Sequence, residues 1–431
     1  MSGQIRDEES AGSRADPSAV QTWSWALYDF GNSAYAFLIP TLLFPIYFKE
    51  GLLNGAKAGD FYWGLLVGLT TLAVGLSAPL VGAMADLRGI HRRLFTVFTV
   101  LACLAAALLG VAGPGQVTAA VLVFVIAHGA FNWALSLYDS FLPAVAGSRR
   151  IGFVSGLGWA LGYLGGPLCL LVVLLLGAHI DQPTSLSFRL IFGVVGAYYL
   201  IFAIPALKLL PRSVTRRGPD VLHAMRISSL ARVWTTLRSG KEHKGVFLYL
   251  LAVYLITDGI ITIVHFTGLY GRETLGLEVA EIGVAMVLTQ LVGIPACIAA
   301  GVLADRWGHR RVLMTCVCLW IAVVLALSVI DSRTEFFALA AGTGLVIGST
   351  QAVSRSLLAK LVPIERSAEM FGFYAVSNKV SSTVGPILFG VIAVACDSQR
   401  AAVLSLIPFF AVGLVLLRWV PETRDGAVSR T

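Results

Sequence analysis

The sequence predicts an all-α membrane protein, with twelve transmembrane helices arranged as two pseudo-symmetric six-helix bundles. Three observations carry that expectation. Charge is sparse, apolar runs of membrane length recur along the chain, and a set of landmarks repeats at a nearly constant offset.

Of 431 residues, 57% are hydrophobic and 13% are charged, with a mean hydropathy of +0.81. A soluble domain averages about 25% charged residues, so half that density suits a surface facing lipid. Runs of roughly 20 apolar residues cross a bilayer core of about 30 Å at about 1.5 Å per residue. They fall at 23–48, 61–84, 94–113, 117–142, 152–177, 188–207, 245–270, 281–303, 311–330, 335–361, 370–396 and 401–420. The first 22 residues are polar, carry Arg6, Asp7, Glu8, Glu9, Arg14 and Asp16, and lack the apolar core and cleavage site of a secretory signal. The first run is therefore expected to stay as a span. The expected plan is a tail (1–22), a bundle (23–207), a basic linker (208–244), a second bundle (245–420) and a tail (421–431).

The formal net charge is +8, but its placement argues for topology and against nucleic acid. Of 32 Lys and Arg, 24 lie in the N-terminal tail, the even-to-odd loops and the C-terminal tail. Only six lie in the opposite loops, and two, Arg355 and Lys379, lie inside spans. Cytoplasmic loops retain positive charge, which predicts cytoplasmic termini and a cytoplasmic linker in a bacterial-type inner membrane. Within that linker, residues 221–240 space apolar and basic residues as an amphipathic surface helix would. The six cysteines all fall in spans without a CxxC pair and read as small core hydrophobes, with no disulfide frame or metal site.

The halves repeat. "GAMADLRGIHRR" (82–93) follows span 2 and "GVLADRWGHRR" (301–311) follows span 8, 219 residues on. Pro143 and Pro363, Gly152-Phe153 and Gly372-Phe373, and Gly166-Pro167 and Gly385-Pro386 keep offsets of 219 or 220. Parallel repeats of this kind place a substrate site at the midplane between halves that rock about it. In the repeated loop, Gly82, Gly89, Gly301 and Gly308 allow close approach and positive φ. Asp86 and Asp305 suit a helix N-terminus or a nearby Arg, and Arg92, Arg93, Arg310 and Arg311 hold that end at the cytoplasmic face. The G-x-x-x-D-x-x-G-x-x-R pattern resembles the signature loop of the major facilitator superfamily. That resemblance implies a central cavity with a cytoplasmic gate latch at each loop. Leu87 stands where that family prefers the Arg that Arg306 supplies in the second copy, which predicts a weaker first latch.

Charges within spans point to the cavity, since each costs roughly 2.5–3.5 kcal/mol on insertion and by default marks function. At helical spacing Trp25, Asp29, Asn32 and Ala36 share a face of span 1, with Tyr28 and Ser33 beside it. Tyr254, Asp258, Thr262 and His265 line a face of span 7, so Asp29 and Asp258 read as related devices across one cavity. Lys379 sits near the midplane among Tyr374, Ser377, Asn378 and Ser382. Arg355, with Gln351 a turn deeper, is close enough to the edge to snorkel. Asp139 reads as a cap or ion pair at least as readily as a substrate residue, and His128 as a core histidine. The competing reading of Asp29, Asp258 and Lys379 is a set of buried ion pairs that fix helix packing. Low dielectric penalises a charged carboxylate, which makes Asp29 and Asp258 candidates for proton exchange, or else fixed counter-ions to a substrate amine or Lys379.

"WALYDFGNSAY" (25–35), "DGIIT" (258–262), "QAVSRSLLAKLVP" (351–363) and "FGFYAVSNKVSSTVGP" (371–386) narrow the resemblance to the vacuole-effluxer-like branch of that superfamily. The resemblance implies a transporter, with amino acids as the substrate precedent, and points to Tyr28, Asp29, Asn32, Ser33, Asp258, Gln351, Ser354, Arg355 and Lys379. Ile256, Asp139 and Asn378 depart from the residues usual in that branch, which are Tyr, Asn and Gly. The expected activity is proton-linked efflux of a small polar or zwitterionic solute by a monomer without a cofactor, coupled to protons or another ion. Transport of an amphipath such as a lysolipid or lipophilic drug is the alternative. The sequence has no HExxH, GxSxG or phosphate-binding G-x-x-x-x-G-K-[ST], which argues against an enzyme or an ATP-driven pump.

Overall fold

The computed structural model describes residues 18–54, 59–113, 115–147, 149–176, 185–214, 229–238, 244–273, 275–381 and 384–422. Every regular element among them is helical. Eleven helices among the described residues are long and apolar enough to cross a membrane, and the first run supplies a twelfth pass in another form. It begins as α1, Ala19–Leu38, and continues through π-helical turns at Ile39–Leu43 and Tyr47–Leu52. Pro40 and Pro45 lie in this stretch. A proline has no N–H to donate and clashes with the carbonyl four residues back, so the hydrogen-bond ladder widens around it.

The remaining spans of the first half are α2 (Gly59–Arg88), α3 (His91–Leu108), α4 (Val117–Ser140), α5 (Ile151–Leu175) and α6 (Leu186–Leu209). The second half comprises α7 (Lys244–Glu273), α8 (Val279–Trp307), α9 (His309–Leu327) and α10 (Arg333–Leu361). It ends with α11 (Ser367–Val380, resumed at Val384–Ala395) and α12 (Gln399–Leu404 and Ile407–Arg418). Span 11, expected as one run, is therefore in two pieces. A ten-residue helix, Ser229–Arg238, lies in the linker; the rest of the expected amphipathic stretch lies outside the described residues.

In the first bundle α1 packs on α5 and α6, and α3 on α4 and α6. In the second, α8 packs on α10, α7 on α12, and α9 on both. The bundles meet along two seams, α2 with α11 and α5 with α8, flanked by α4–α11 and α5–α10 contacts. The core of the first bundle is aromatic and closed: Trp25, Tyr28, Tyr35, Phe44 and Tyr47 have no exposed surface. Leu69, Leu122, Leu175 and Val329 are more than half exposed on the outside, as a lipid-facing surface requires. Cys318 and Cys396 also face outward, correcting their reading as core residues; the other four cysteines are buried.

Candidate transport site

Between the bundles lies a cavity of about 530 Å³. Its lining includes Asp29, Asn32, Ser33, Gln351, Arg355, Tyr374, Asn378 and Lys379 from the expected set. The charged floor is an ion cluster. One Arg355 nitrogen, Nη1, donates to Asp29 Oδ2 and to Asp139 Oδ1, each at 3.1 Å. Nε donates to Ser155 Oγ at 3.0 Å and Nη2 to the Ser155 carbonyl at 2.9 Å. The guanidinium also lies 4.7 Å from the centroid of the Trp25 ring, a cation–π distance. Arg355 belongs to α10, while all of these partners belong to the first bundle. It does not snorkel: it is 4% exposed, and its fork is spent on the opposite bundle.

Asp29 gains a further bond from Asn32 Nδ2 at 3.3 Å, and Ser33 Oγ donates to the Asp29 carbonyl at 2.7 Å. Asn378 accepts from Thr257 Oγ1 at 3.2 Å and donates to the Tyr374 carbonyl at 3.0 Å. Lys379 lines the same cavity where α11 meets Gly75 of α2.

Five expected residues lie elsewhere. Asp258 is fully buried and accepts from the Gly385 N–H at 3.0 and 3.1 Å, capping the helix that resumes at Val384. Thr262 turns back to the Asp258 carbonyl at 2.7 Å, and His265 is exposed outside the cavity. The cavity face of α7 is Thr257 and Ile261 instead; one residue turns a helix by about 100°, enough to aim Asp258 at α11. Tyr28 sits in the first bundle's core, bonded to Tyr199 at 2.5 Å and Thr99 at 3.1 Å. Ser354, though 3% exposed, takes part through its carbonyl, which accepts from Tyr249 at 2.5 Å.

Both repeated loops close the same end of the molecule, the end that carries the linker. Asp86 accepts from the Ala368 and Glu369 N–H groups at 3.3 and 2.9 Å, capping α11. Asp305 accepts from the Gly152 and Phe153 N–H groups, both at 2.8 Å, capping α5. Each acid therefore meets a helix N-terminus of the opposite bundle, where partial positive charge and unpaired N–H groups favour it. The first copy has the longer bonds, and His91 lies 2.8 Å from Asp86. Gly82 and Gly301 permit these approaches, since a Cβ on either would overlap the Ala368 or Gly152 carbonyl. Gly89 (φ 62°) and Gly308 (φ 99°) make the turns. Arg92 Nη1 donates to the Lys208 and Leu210 carbonyls, and Arg310 Nη1 to those of Arg418 and Val420. These two arginines satisfy the last carbonyls of α6 and α12 rather than the latches. Arg93, Arg306 and Arg311 are exposed, so the Leu87-for-Arg departure removes no residue from the seam.

Sequence reasoning left Asp139 out of the candidate set. A signal existed: Asp139 and Arg355 stand within about a turn of equivalent places in the two repeats, opposite in sign. Ser155 and Gly158 carried none. A Cβ on Gly158 would come 2.6 Å from Asp29 Oδ2 and 2.9 Å from Arg355 Nη2, so the ion cluster needs a glycine there.

Residues 148–427 match the family described as "Vacuole effluxer Atg22 like". The chain belongs to that family. It is 30% identical over 416 residues to a relative named "Uncharacterized MFS-type transporter YxiO" of Bacillus subtilis, covering 94% of this chain and 96% of that one. It is 28% identical to "Autophagy-related protein 22" of Coccidioides immitis over 56% of this chain and 43% of the relative. The match thus spans less than half of that fungal protein. Among solved structures, the proton:xylose symporter XylE superposes with a TM-score of 0.69 at 14% identity, covering 94% of this chain and 95% of that one. The transporter FucP, in its outward conformation, gives 0.71 at 13% identity over 94% and 98%. At such identities the likeness is one of fold. This Atg22-like protein is a major facilitator superfamily transporter and not an enzyme, a multi-pass integral membrane protein that binds a small-molecule substrate from within a lipid bilayer.

Proposed function

We propose that this transporter exports a small polar or zwitterionic solute, such as an amino acid, in exchange for protons by alternating access. Its linker end and both termini face the cytoplasm across a bacterial-type inner membrane, the orientation favoured by the basic residues of that end. It works as a monomer, with protons as the coupling ion. The observation that carries the reading is the Arg355 fork, donated from one bundle wholly to the other at the floor of a polar cavity.

Arg355 lies six residues before the end of α10 at Leu361, about 9 Å along the axis. Opening the cytoplasmic end therefore pulls the guanidinium away from Asp29 and Asp139. Breaking a buried pair of this kind costs about 3–5 kcal/mol, which holds the cytoplasmic end shut. A proton reaching either carboxylate through the cavity lowers that cost and frees Arg355. Once the other side opens, the ammonium group of a solute competes with the proton for the same carboxylates. Lys379 faces the solute's anionic end. One site that holds either a proton or the solute's cation couples their opposite movements.

Asp29→Asn tests this in proteoliposomes: transport driven by a pH gradient is lost while the purified protein stays folded, because Asp139 still pairs with Arg355. Undiminished coupled transport would remove Asp29 from the role. The aromatic wall of Phe37, Phe131, Trp159 and Tyr163 supports the second reading, an amphipathic substrate. A thermal-shift series of amino acids, peptides, organic acids and lysolipids separates the two, since a bound solute raises apparent stability.

A further inference from the structure

The linker helix Ser229–Arg238 packs on α2 of the first bundle. Its Thr236, 1% exposed, donates from Oγ1 to Glu369 Oε1 of the second bundle at 2.5 Å. Glu369 is itself fully buried, and its backbone N–H is one of the two groups capped by Asp86. One residue thus joins the latch through its main chain and the linker through its side chain. The linker's other face is turned away: Trp234 is 56% exposed, with the Arg238 guanidinium 4.8 Å over its ring.

The opposite latch cannot be built this way. There the corresponding donor to Asp305 is the N–H of Phe153, whose side chain has no acceptor to offer. Both acids cap the second and third N–H groups of a helix, but only Glu369 offers a side-chain acceptor beside its capped N–H, and the longer-bonded latch is the one that the linker meets.

We propose that the linker helix is a strap across the α2–α11 seam, fastened by Thr236 to Glu369 while the linker end is closed and released when that end opens. It goes beyond the transport reading, because it biases the gate whatever the solute. A hydroxyl donating to a buried carboxylate is among the stronger protein hydrogen bonds. Deleting it raises the population opened at the linker end by about tenfold, the size of one such bond.

The test is amide hydrogen exchange on the purified full-length chain without solute. In Thr236→Val, the first turns of α11 (residues 367–371) and of α5 (151–155) exchange about tenfold faster together, because both latches lie on the same moving end. Thr236→Ser, which keeps the hydroxyl, behaves as the parent. Glu369→Gln, which keeps an acceptor but loses the charge, gives a smaller rise in the same two turns. Faster exchange confined to 229–238, or to α11 with α5 unchanged, would overturn the strap, as local fraying without gate movement. A rise in Thr236→Ser equal to that in Thr236→Val would overturn it as well. None of these outcomes bears on coupling at Arg355, so the strap and the transport reading fail separately.

Discussion

Asp29 and Asp258 each lie on the first helix of their bundle and are each followed closely by glycine, yet their partners differ. Asp29 meets Arg355 from the other bundle at the cavity floor. Asp258 meets the Gly385 N–H of its own bundle and is sealed from the cavity. The deciding property is where the partner sits, since both carboxylates are buried. On the proposed cycle, a bond across the seam breaks when the linker end opens and so can respond to a proton or a solute, whereas one within a bundle holds that bundle together.

The sharpest way to break this comparison is Arg355→Ala. It leaves two carboxylates buried without their counter-ion, so stability should fall by about 3–5 kcal/mol, read as a lower midpoint in thermal unfolding. A melting curve matching the parent would show that the cluster is not under electrostatic tension. Gly158→Ala comes next. It keeps every charge but pushes a methyl group between Asp29 and Arg355, and overpacking of this kind costs about 1–3 kcal/mol; coupled transport should drop with it.

Asp258→Ala sharpens the contrast. Losing the acceptor for a buried N–H should cost about 1–3 kcal/mol while coupled transport per folded molecule stays at the parental level. That is the reverse of the pattern expected for Asp29→Asn. A selective loss of proton coupling in Asp258→Ala would return that residue to the cavity's chemistry. The smallest effect should belong to His265→Ala, within about 0.5 kcal/mol in stability and without change in solute affinity. A weaker solute Kd there would mean that the α7 stripe faces the substrate after all.

Much of the architecture was legible because lipid imposes simple constraints. Span length follows from bilayer thickness and from the need to satisfy every backbone group inside it, sparse charge follows from the cost of charge in lipid, and the 219-residue repeat located both latch acids. Face assignment was less secure. The stripe Tyr254, Asp258, Thr262 and His265 shares one side of a helix, but periodicity states only which residues lie together, and the stripe proved to face α11 and the exterior. Arg355 was misjudged because depth alone permits snorkelling, whereas Asp29, Asp139 and Ser155 on three helices of the other bundle hold it inside. Gly158 was silent because its role is an absence of atoms.

Composition and spacing alone establish that the chain crosses a bilayer twelve times, as two copies of one pattern, with acids in the two repeated loops and charges inside the spans. Each of those is a local property, set by composition, period and spacing along one segment. Which charges meet is a matter of three-dimensional packing: Asp139 joins Asp29 around Arg355, and Asp258 turns away to cap a helix. One residue's step around a helix, about 100°, separates the cavity-facing Thr257 from Asp258, and packing against neighbours distant in sequence sets which of them faces the cavity.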